Sequence, residues 1–95
     1  MPHASGWTMI KGSGLAVEGP CVLLGVIFTP DTTNDYVTIY DGIDAASGRK
    51  FAKITTAVDV TWPFHMSCHP LFAAGVYVEG IDSAVETTII YESVE

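Results

Sequence analysis

Basic residues are scarce in this chain. Its 95 residues hold four Lys and Arg against eleven Asp and Glu, a net charge of −7. A nucleic-acid binder needs a basic footprint to neutralise phosphates, so the expectation is no direct nucleic-acid binding. The same imbalance speaks against anionic membrane surfaces. Cysteine is scarcer still: Cys21 and Cys68 are the whole complement. They can pair, but a cytosolic setting predicts buried free thiols instead. No apolar run reaches membrane-spanning length. The opening Met1-Pro2-His3-Ala4-Ser5-Gly6-Trp7 lacks the basic start and apolar stretch of a secretion signal. Helix signals are missing as well. No stretch holds apolar residues at a 3.6-residue period between caps, and Thr and Val stand where a helix takes Ala, Leu and Glu.

Apolar residues, by contrast, are plentiful. The chain is 48% hydrophobic and only 16% charged, a balance that excludes disorder. A domain this short hides only about two thirds of the surface its unfolded chain exposes. Its apolar surplus must therefore face something, and a subunit interface is the usual recipient. The expectation is an obligate oligomer or an assembly component, with the acidic balance keeping it soluble.

Short β-rich runs separated by Gly, Pro, Asp and Asn predict strands near Trp7–Ile10, Leu15–Glu18, Cys21–Thr29, Tyr36–Tyr40, Phe51–Thr55, Ala57–Trp62, Ala74–Glu79 and Val85–Glu92. Turn chemistry lies between them, at Pro30 to Asn34, Asp41-Gly42 through Ser47-Gly48, and Gly80 to Ser83. Seven or eight short strands at this spacing predict an all-β fold, an antiparallel β-sandwich of jelly-roll type. Residues 15–95 form the sandwich, and residues 1–14 serve as an N-terminal arm or a first edge strand.

Alternation assigns the faces. Val85, Thr87, Ile89 and Tyr91 share one side, and Val58, Val60 and Trp62 share another. In Asp35 to Gly42, Val37 and Ile39 face the core while Tyr36, Thr38 and Tyr40 face outward. The run Cys21 to Phe28 is apolar on both sides, with Val22, Leu24, Val26 and Phe28 on one and Leu23 and Ile27 on the other. Such a strand is covered twice, by a neighbouring subunit or by the chain's own loops. Subunit or shell contacts are accordingly expected at Trp7, Ile10, Leu23, Ile27, Tyr36 and Tyr40.

Several groupings have the residue types that chemistry needs. His65-Met66-Ser67-Cys68-His69, with Cys21, offers the ligands zinc prefers. Pro63 and Pro70 bracket it too tightly for a helix that aligns the two histidines, and the paired-ligand spacing of a zinc site is missing. Loop or core packing is expected there, with no metal. A Cys68–His nucleophile is the enzymatic version, but no catalytic motif accompanies it, so no enzyme is expected. Asp31, Asp35, Asp41 and Asp44 flank one strand as calcium ligands do, without the D-x-D-x-D-G spacing. Their expected role is to shape turns by bonding to nearby backbone. Tyr36, Tyr40, Tyr77, Tyr91, Trp7 and Trp62 offer aromatic faces for a sugar, or serve as strand residues and interface anchors. No cofactor is expected.

Two resemblances attach to these residues. Asp35-Tyr36-Val37-Thr38-Ile39-Tyr40-Asp41-Gly42 resembles the D-Y-x-x-I-x-D-G strand of CUB domains, and Gly48-Arg49-Lys50-Phe51 loosely follows that pattern. The family's cysteine pattern is not matched. A longer run, from Val22 to Glu92, is similar to a group of small tailed-bacteriophage virion proteins. Its marks are the ribbon Val37-Thr38-Ile39-Tyr40-Asp41-Gly42, then Phe51-Ala52-Lys53-Ile54, the Val58-x-Val60-x-Trp62 strand, Gly75-Val76-Tyr77-Val78-Glu79-Gly80 and Thr87-Thr88-Ile89-Ile90-Tyr91-Glu92. This resemblance implies a capsid decoration (cement) protein, made in the bacterial cytoplasm and located in the virion. Its partners would be the major capsid protein or other virion proteins, and its own assembly a homotrimer. The same resemblance admits a tail, neck or fibre-base component. Outside this class stands a sugar- or calcium-binding sandwich module.

Overall fold

A computed structural model describes residues 5–31, 34–55, 61–65 and 69–94. All nine elements among the described residues are strands: β1 (Ser5–Lys11), β2 (Gly14–Glu18), β3 (Cys21–Thr29), β4 (Tyr36–Asp41), β5 (Arg49–Thr55), β6 (Trp62–His65), β7 (Leu71–Phe72), β8 (Gly75–Gly80) and β9 (Glu86–Ser93). They form two antiparallel sheets. The first runs β1-β9-β3-β6, with β7 also on β3, and the second runs β2-β8-β4-β5.

The pairing is nested. β1 pairs with β9, β2 with β8, β3 with β6 and β7, and β4 with β5. The chain is thus one long hairpin, rolled up so that β9 also meets β3 and β8 also meets β4. Counting β6 and β7 as one interrupted strand along β3, this is the eight-strand jelly roll. Among the described residues the two sheets end on β1 and the β6–β7 line, and on β2 and β5.

Alternation along the strands fills the space between the sheets. Leu23, Val26 and Phe28 of β3, Ile89 of β9 and Phe72 of β7 meet Val37 and Ile39 of β4, Val76 and Val78 of β8, and Ala16 and Val17 of β2. Val85 closes the layer at one end. Thr87 and Tyr91 share one side of β9 as expected, and the structure turns that side inward; Val37 and Ile39 face the core on β4 as expected. Glycine makes two corners possible. Gly12 turns the chain from β1 into the other sheet at φ +80°, with its N–H donated to the Val85 carbonyl at 2.7 Å. Gly75 opens β8 at φ +143°, where a Cβ would lie 2.4 Å from the Val17 carbonyl oxygen.

Two expectations need correction, and between them one open alternative is decided. The first concerns β3. Its register against β9 shifts between Leu23 and Gly25, so Leu24 is an extra residue in a bulge. A one-residue insertion reverses the faces beyond it. Cys21 and Leu23 therefore point inward before the bulge, and Val26 and Phe28 inward after it. Leu23 is fully buried and does not share a face with Ile27.

The open alternative concerns the N-terminal segment. Of its two expected forms, Ser5–Lys11 takes the edge strand, with seven residues in register on β9 and Ile10 packed against the core. A free arm does not describe these residues, because one side of the strand is hydrogen-bonded along its whole length to β9. The second correction concerns Pro63, which was expected to bracket a loop. It lies inside β6, opposite Ile27. β6 is an edge strand, where a missing N–H costs no ladder bond. Most of the expected Ala57–Trp62 strand lies outside the described residues.

Candidate interaction surface

The two outer faces of the sandwich differ in chemistry. On the second sheet, Tyr36, Thr38 and Tyr40 of β4 lie between β5 and β8. The Lys53 ammonium sits 4.0 Å from the centre of the Tyr36 ring, a cation–π contact. The Tyr40 hydroxyl donates to Glu79 Oε1 at 3.1 Å, and its ring lies 6.4 Å from that of Tyr77. Burial and the neighbouring Glu79 carboxylate hold the Tyr40 phenol above its usual range. This face is tied together by polar partners of its own.

The first sheet presents an apolar face instead. Residue pairing arranges it in rows across the strands. Trp7 lies beside Ile90, and Ile90 beside Gly25; in the next row Met9, Thr88, Ile27 and Pro63 follow one another. Val22 and Leu71 extend the band at one end. Trp7 is 70% exposed, Leu71 63% and Met9 46%, while Val22, Leu24, Ile27 and Ile90 are half-buried. Charge is confined to the margins, with Lys11 and Glu86 in one end row and Glu92 in the other. The strand spacing of about 4.8 Å and rise of about 3.3 Å per residue give the whole sheet face, charged end rows included, a flat area of roughly 450 Å².

This face is not flat. Gly25 puts no side chain into its row, and a hollow of about 420 Å³ opens there among Leu24, Ile27, Pro63, Ile90 and the rim residue His69. A Cβ on Gly25 would stand 3.2 Å from the Phe64 carbonyl oxygen and 3.8 Å from Ile90 Cδ1. The bulge at Leu24 and the glycine after it thus shape the hollow together. Neither was legible in the sequence, where the run Cys21 to Phe28 is apolar on both sides and alternation gives no sign of the bulge.

The six expected contact residues separate into three places. Trp7 and Ile27 share the apolar face. Tyr36 and Tyr40 share the opposite face of the sandwich. Leu23 is core, and Ile10 packs against the core from the inner side of β1. Among the described side chains the aromatic residues form no common platform either, since Trp7 and the tyrosines of β4 and β8 lie on different sheets and Tyr91 packs inward.

The other groupings resolve as follows. Cys21 is a buried free thiol whose pKa is raised, by desolvation first and by the Asp41 charge second. Its expected relation to Cys68 falls outside the described residues, as do Met66 and Ser67. His65 belongs to β6 and His69 is exposed. Among the carboxylates, Asp41 accepts the N–H groups of Ala73 and Ala74 at 3.1 and 3.0 Å, and Asp44 accepts the N–H and hydroxyl of Ser47, both at 2.7 Å. Asp31 and Asp35 converge instead with Asp82 from the β8–β9 turn, one oxygen of each within 4.8 Å of the others. The Asp31 N–H donates to Asp35 Oδ2 at 2.8 Å. A second hollow, of about 310 Å³, lies at the open side of the roll between Arg49, Lys50 and Phe51 of β5 and Leu71 and Phe72 of β7. There the Phe51 and Phe72 rings stand 5.0 Å apart. No family model matches the chain, and neither a curated protein nor a solved structure matches it.

Proposed function

We propose that the protein is a non-enzymatic structural component of a bacteriophage virion, a decoration protein that binds and stiffens the head shell. The observation that carries this reading is the apolar outer face of the β1-β9-β3-β6 sheet, with Trp7, Met9 and Leu71 exposed and charge only at its margins. Burying such a face in an assembly removes apolar area from water at roughly 25 cal/mol per Å². The likeness of the Val22 to Glu92 pattern to small tailed-phage virion proteins supplies the biological setting. The exposed edges of β1 and β5 add backbone groups for strand addition by a shell subunit. A tail or neck position uses the same surface, and gene order separates the two.

The test has two parts. The genes flanking this one are read first, and a capsid or portal gene is expected beside it. The encoded shell protein is then co-expressed with this chain and the particles are sedimented. Co-sedimentation with a raised melting temperature of the particles is expected, whereas particles that leave the protein in the supernatant would refute the proposal.

A calcium-binding module is the second reading, favoured by the convergence of Asp31, Asp35 and Asp82. Calcium takes 6–8 oxygen ligands, often from loop carboxylates. A rise in Tm of the isolated chain with millimolar calcium, absent with magnesium, supports it. An unchanged Tm removes it.

A further inference from the structure

We infer that the open edge of β1 pairs with β1 of a second copy, antiparallel about a two-fold axis normal to the sheet, so that two sandwiches share one continuous sheet. This deepens the strand-addition part of the assembly reading by naming the occupant of β1; the other surfaces remain for the shell. The edges of the described sheets are not alike. β2 is broken by a bulge at Ala16, and β5 by one at Phe51 beside Arg49, Lys50 and Lys53. β6 carries Pro63. Bulges, edge lysines and edge prolines are the devices that keep sheet edges from pairing with other chains. β1 has no bulge and no proline over Ser5 to Lys11, which run in unbroken register on β9, and its one charge is the terminal Lys11.

The ladder fixes which backbone groups face the open edge. Gly12 donates its N–H to the Val85 carbonyl, and this pair continues the register in which Lys11 lies beside Glu86. Hydrogen-bonded and non-hydrogen-bonded pairs alternate along an antiparallel ladder. Gly6, Thr8 and Ile10 therefore bond to β9, while Ser5, Trp7, Met9 and Lys11 turn their N–H and C=O groups outward. Among the described residues no backbone group meets them there. An antiparallel pair centred on Thr8 uses the whole strand. Trp7 exchanges both bonds with Met9 of the second copy, and Lys11 does so with Ser5 of the second copy. Trp7 and Met9, both exposed on the outer side, then meet across the axis, an indole against a thioether. Charge agrees with this centre. Each end row reads Glu86 and Lys11 of one copy, then Ser5 and Glu92 of the other. Lys11 stands one strand spacing, about 4.8 Å, from Glu86 and two, about 9.6 Å, from the second copy's Glu92. No two carboxylates are neighbours. Moving the centre to Trp7 or Met9 shortens the ladder and takes Lys11 out of line with that Glu92, and a shift by a single residue turns the faces over. One edge that complements itself closes as a pair. The homotrimer implied by the phage resemblance needs two different edges to meet.

Sedimentation equilibrium of the full chain, over a concentration series up to millimolar, tests the inference. Twice the chain mass is expected at the upper end. Met9→Pro removes an N–H that faces the open edge and takes no bond from the β9 ladder. It is expected to keep the β-sheet circular dichroism spectrum and to sediment as a monomer. Thr8→Lys sets two like charges against each other on the axis and repeats the dissociation, should the proline variant fold poorly. Thr8→Cys in a Cys68→Ser background reads the register. Centred on Thr8, the two new thiols face each other across a non-hydrogen-bonded pair, with about 4.5 Å between Cα atoms, within disulfide range. Mild oxidation is expected to give a covalent dimer, and none from Cys68→Ser alone. A wild type that stays monomeric throughout or forms a trimer, a dimer indifferent to Met9→Pro and Thr8→Lys, or a Thr8→Cys chain that does not cross-link would overturn the inference. A monomeric wild type that still co-sediments with particles refutes the β1 pairing and spares the virion reading. A dimer that never binds particles does the reverse.

Discussion

The carboxylate of Asp41 accepts the backbone N–H of Ala74 at 3.0 Å, across 33 residues of chain. Its other oxygen takes the N–H of Ala73 at 3.1 Å. The residue that ends β4 therefore pins the turn between β7 and β8, and Gly42 adds its own N–H to the Gly75 carbonyl at 3.1 Å. Hydrogen bonds to a charged acceptor contribute about 1.5–3 kcal/mol when sheltered. At this solvent-accessible site, Asp41→Ala is expected to cost about 1–2 kcal/mol. Urea unfolding reads it as a lower midpoint at constant slope. Asp41→Asn keeps an acceptor and should lose less.

Removal of β1 is expected to do more than shorten the chain. Deleting residues 1–11 strips β9 of its seven-residue ladder and leaves its edge open, and it takes Ile10 from the core. A long, newly opened sheet edge invites pairing between chains. The truncated protein is expected to aggregate or to lose its cooperative thermal transition. A soluble, cooperatively melting truncation, followed by light scattering and circular dichroism, would contradict this role.

Leu23 and Ile27 make a paired test of the β3 bulge. Leu23→Asp places a carboxylate in a fully buried site. Burying an unpaired charge costs more than a domain of this size has in reserve, typically about 5–10 kcal/mol, so the variant is expected to be unfolded. Ile27→Asp lies on the outer face and should fold, changing association alone. Similar melting temperatures for the two would place the bulge elsewhere.

The same pair shows how far the sequence could be read. Strand existence was legible because turn residues punctuate β-branched runs, and the bounds of β3 match to the residue. The faces of β4 and β9 were legible because Val37, Ile39, Val85 and Ile89 alternate without interruption. Leu23 was misplaced because counting by twos passes through the bulge at Leu24, and a bulge leaves no mark in alternation when every neighbour is apolar. Pro63 was misread because whether a proline is tolerated depends on which strand lies at the edge, a property of topology. Trp7 and Ile27 were expected as contact residues, but that they share one apolar face follows only from the pairing of β1, β9 and β3. Its hollow was not legible either, because it needs Gly25, Ile90 and Pro63 from three strands. Asp82 likewise joins Asp31 and Asp35 only through the fold.

Thr87 offers a stabilising change. Its side chain is fully buried on β9, and its Oγ1 has no hydrogen-bond partner among the described residues. A buried hydroxyl without a partner costs about 1–3 kcal/mol in lost hydration. Valine keeps nearly the same shape and removes the polar atom. Thr87→Val is expected to raise stability by about 1 kcal/mol, read as a higher urea midpoint. A lower midpoint would mean that the hydroxyl is satisfied.

Acid sensitivity has an identifiable contributor in Asp44. The Ser47 hydroxyl, followed by the Ser47 N–H, holds its carboxyl below the ordinary value, against an opposing effect of desolvation. A carboxylate whose pKa is lowered on folding stabilises the fold fully above its unfolded pKa. That contribution is lost as pH falls through the lowered folded value. Ser47→Ala removes the first cause and leaves the backbone donors, so the Asp44 pKa should move part of the way back up. A carboxyl-carbon NMR titration measures it directly. The stability difference between Ser47→Ala and wild type should be present at neutral pH and should shrink towards zero on acidification through the Asp44 titration. Asp44 is exposed, so the difference will be small and screened by salt. An Asp44 titration that is the same in both proteins would show that the hydroxyl does not hold the carboxylate.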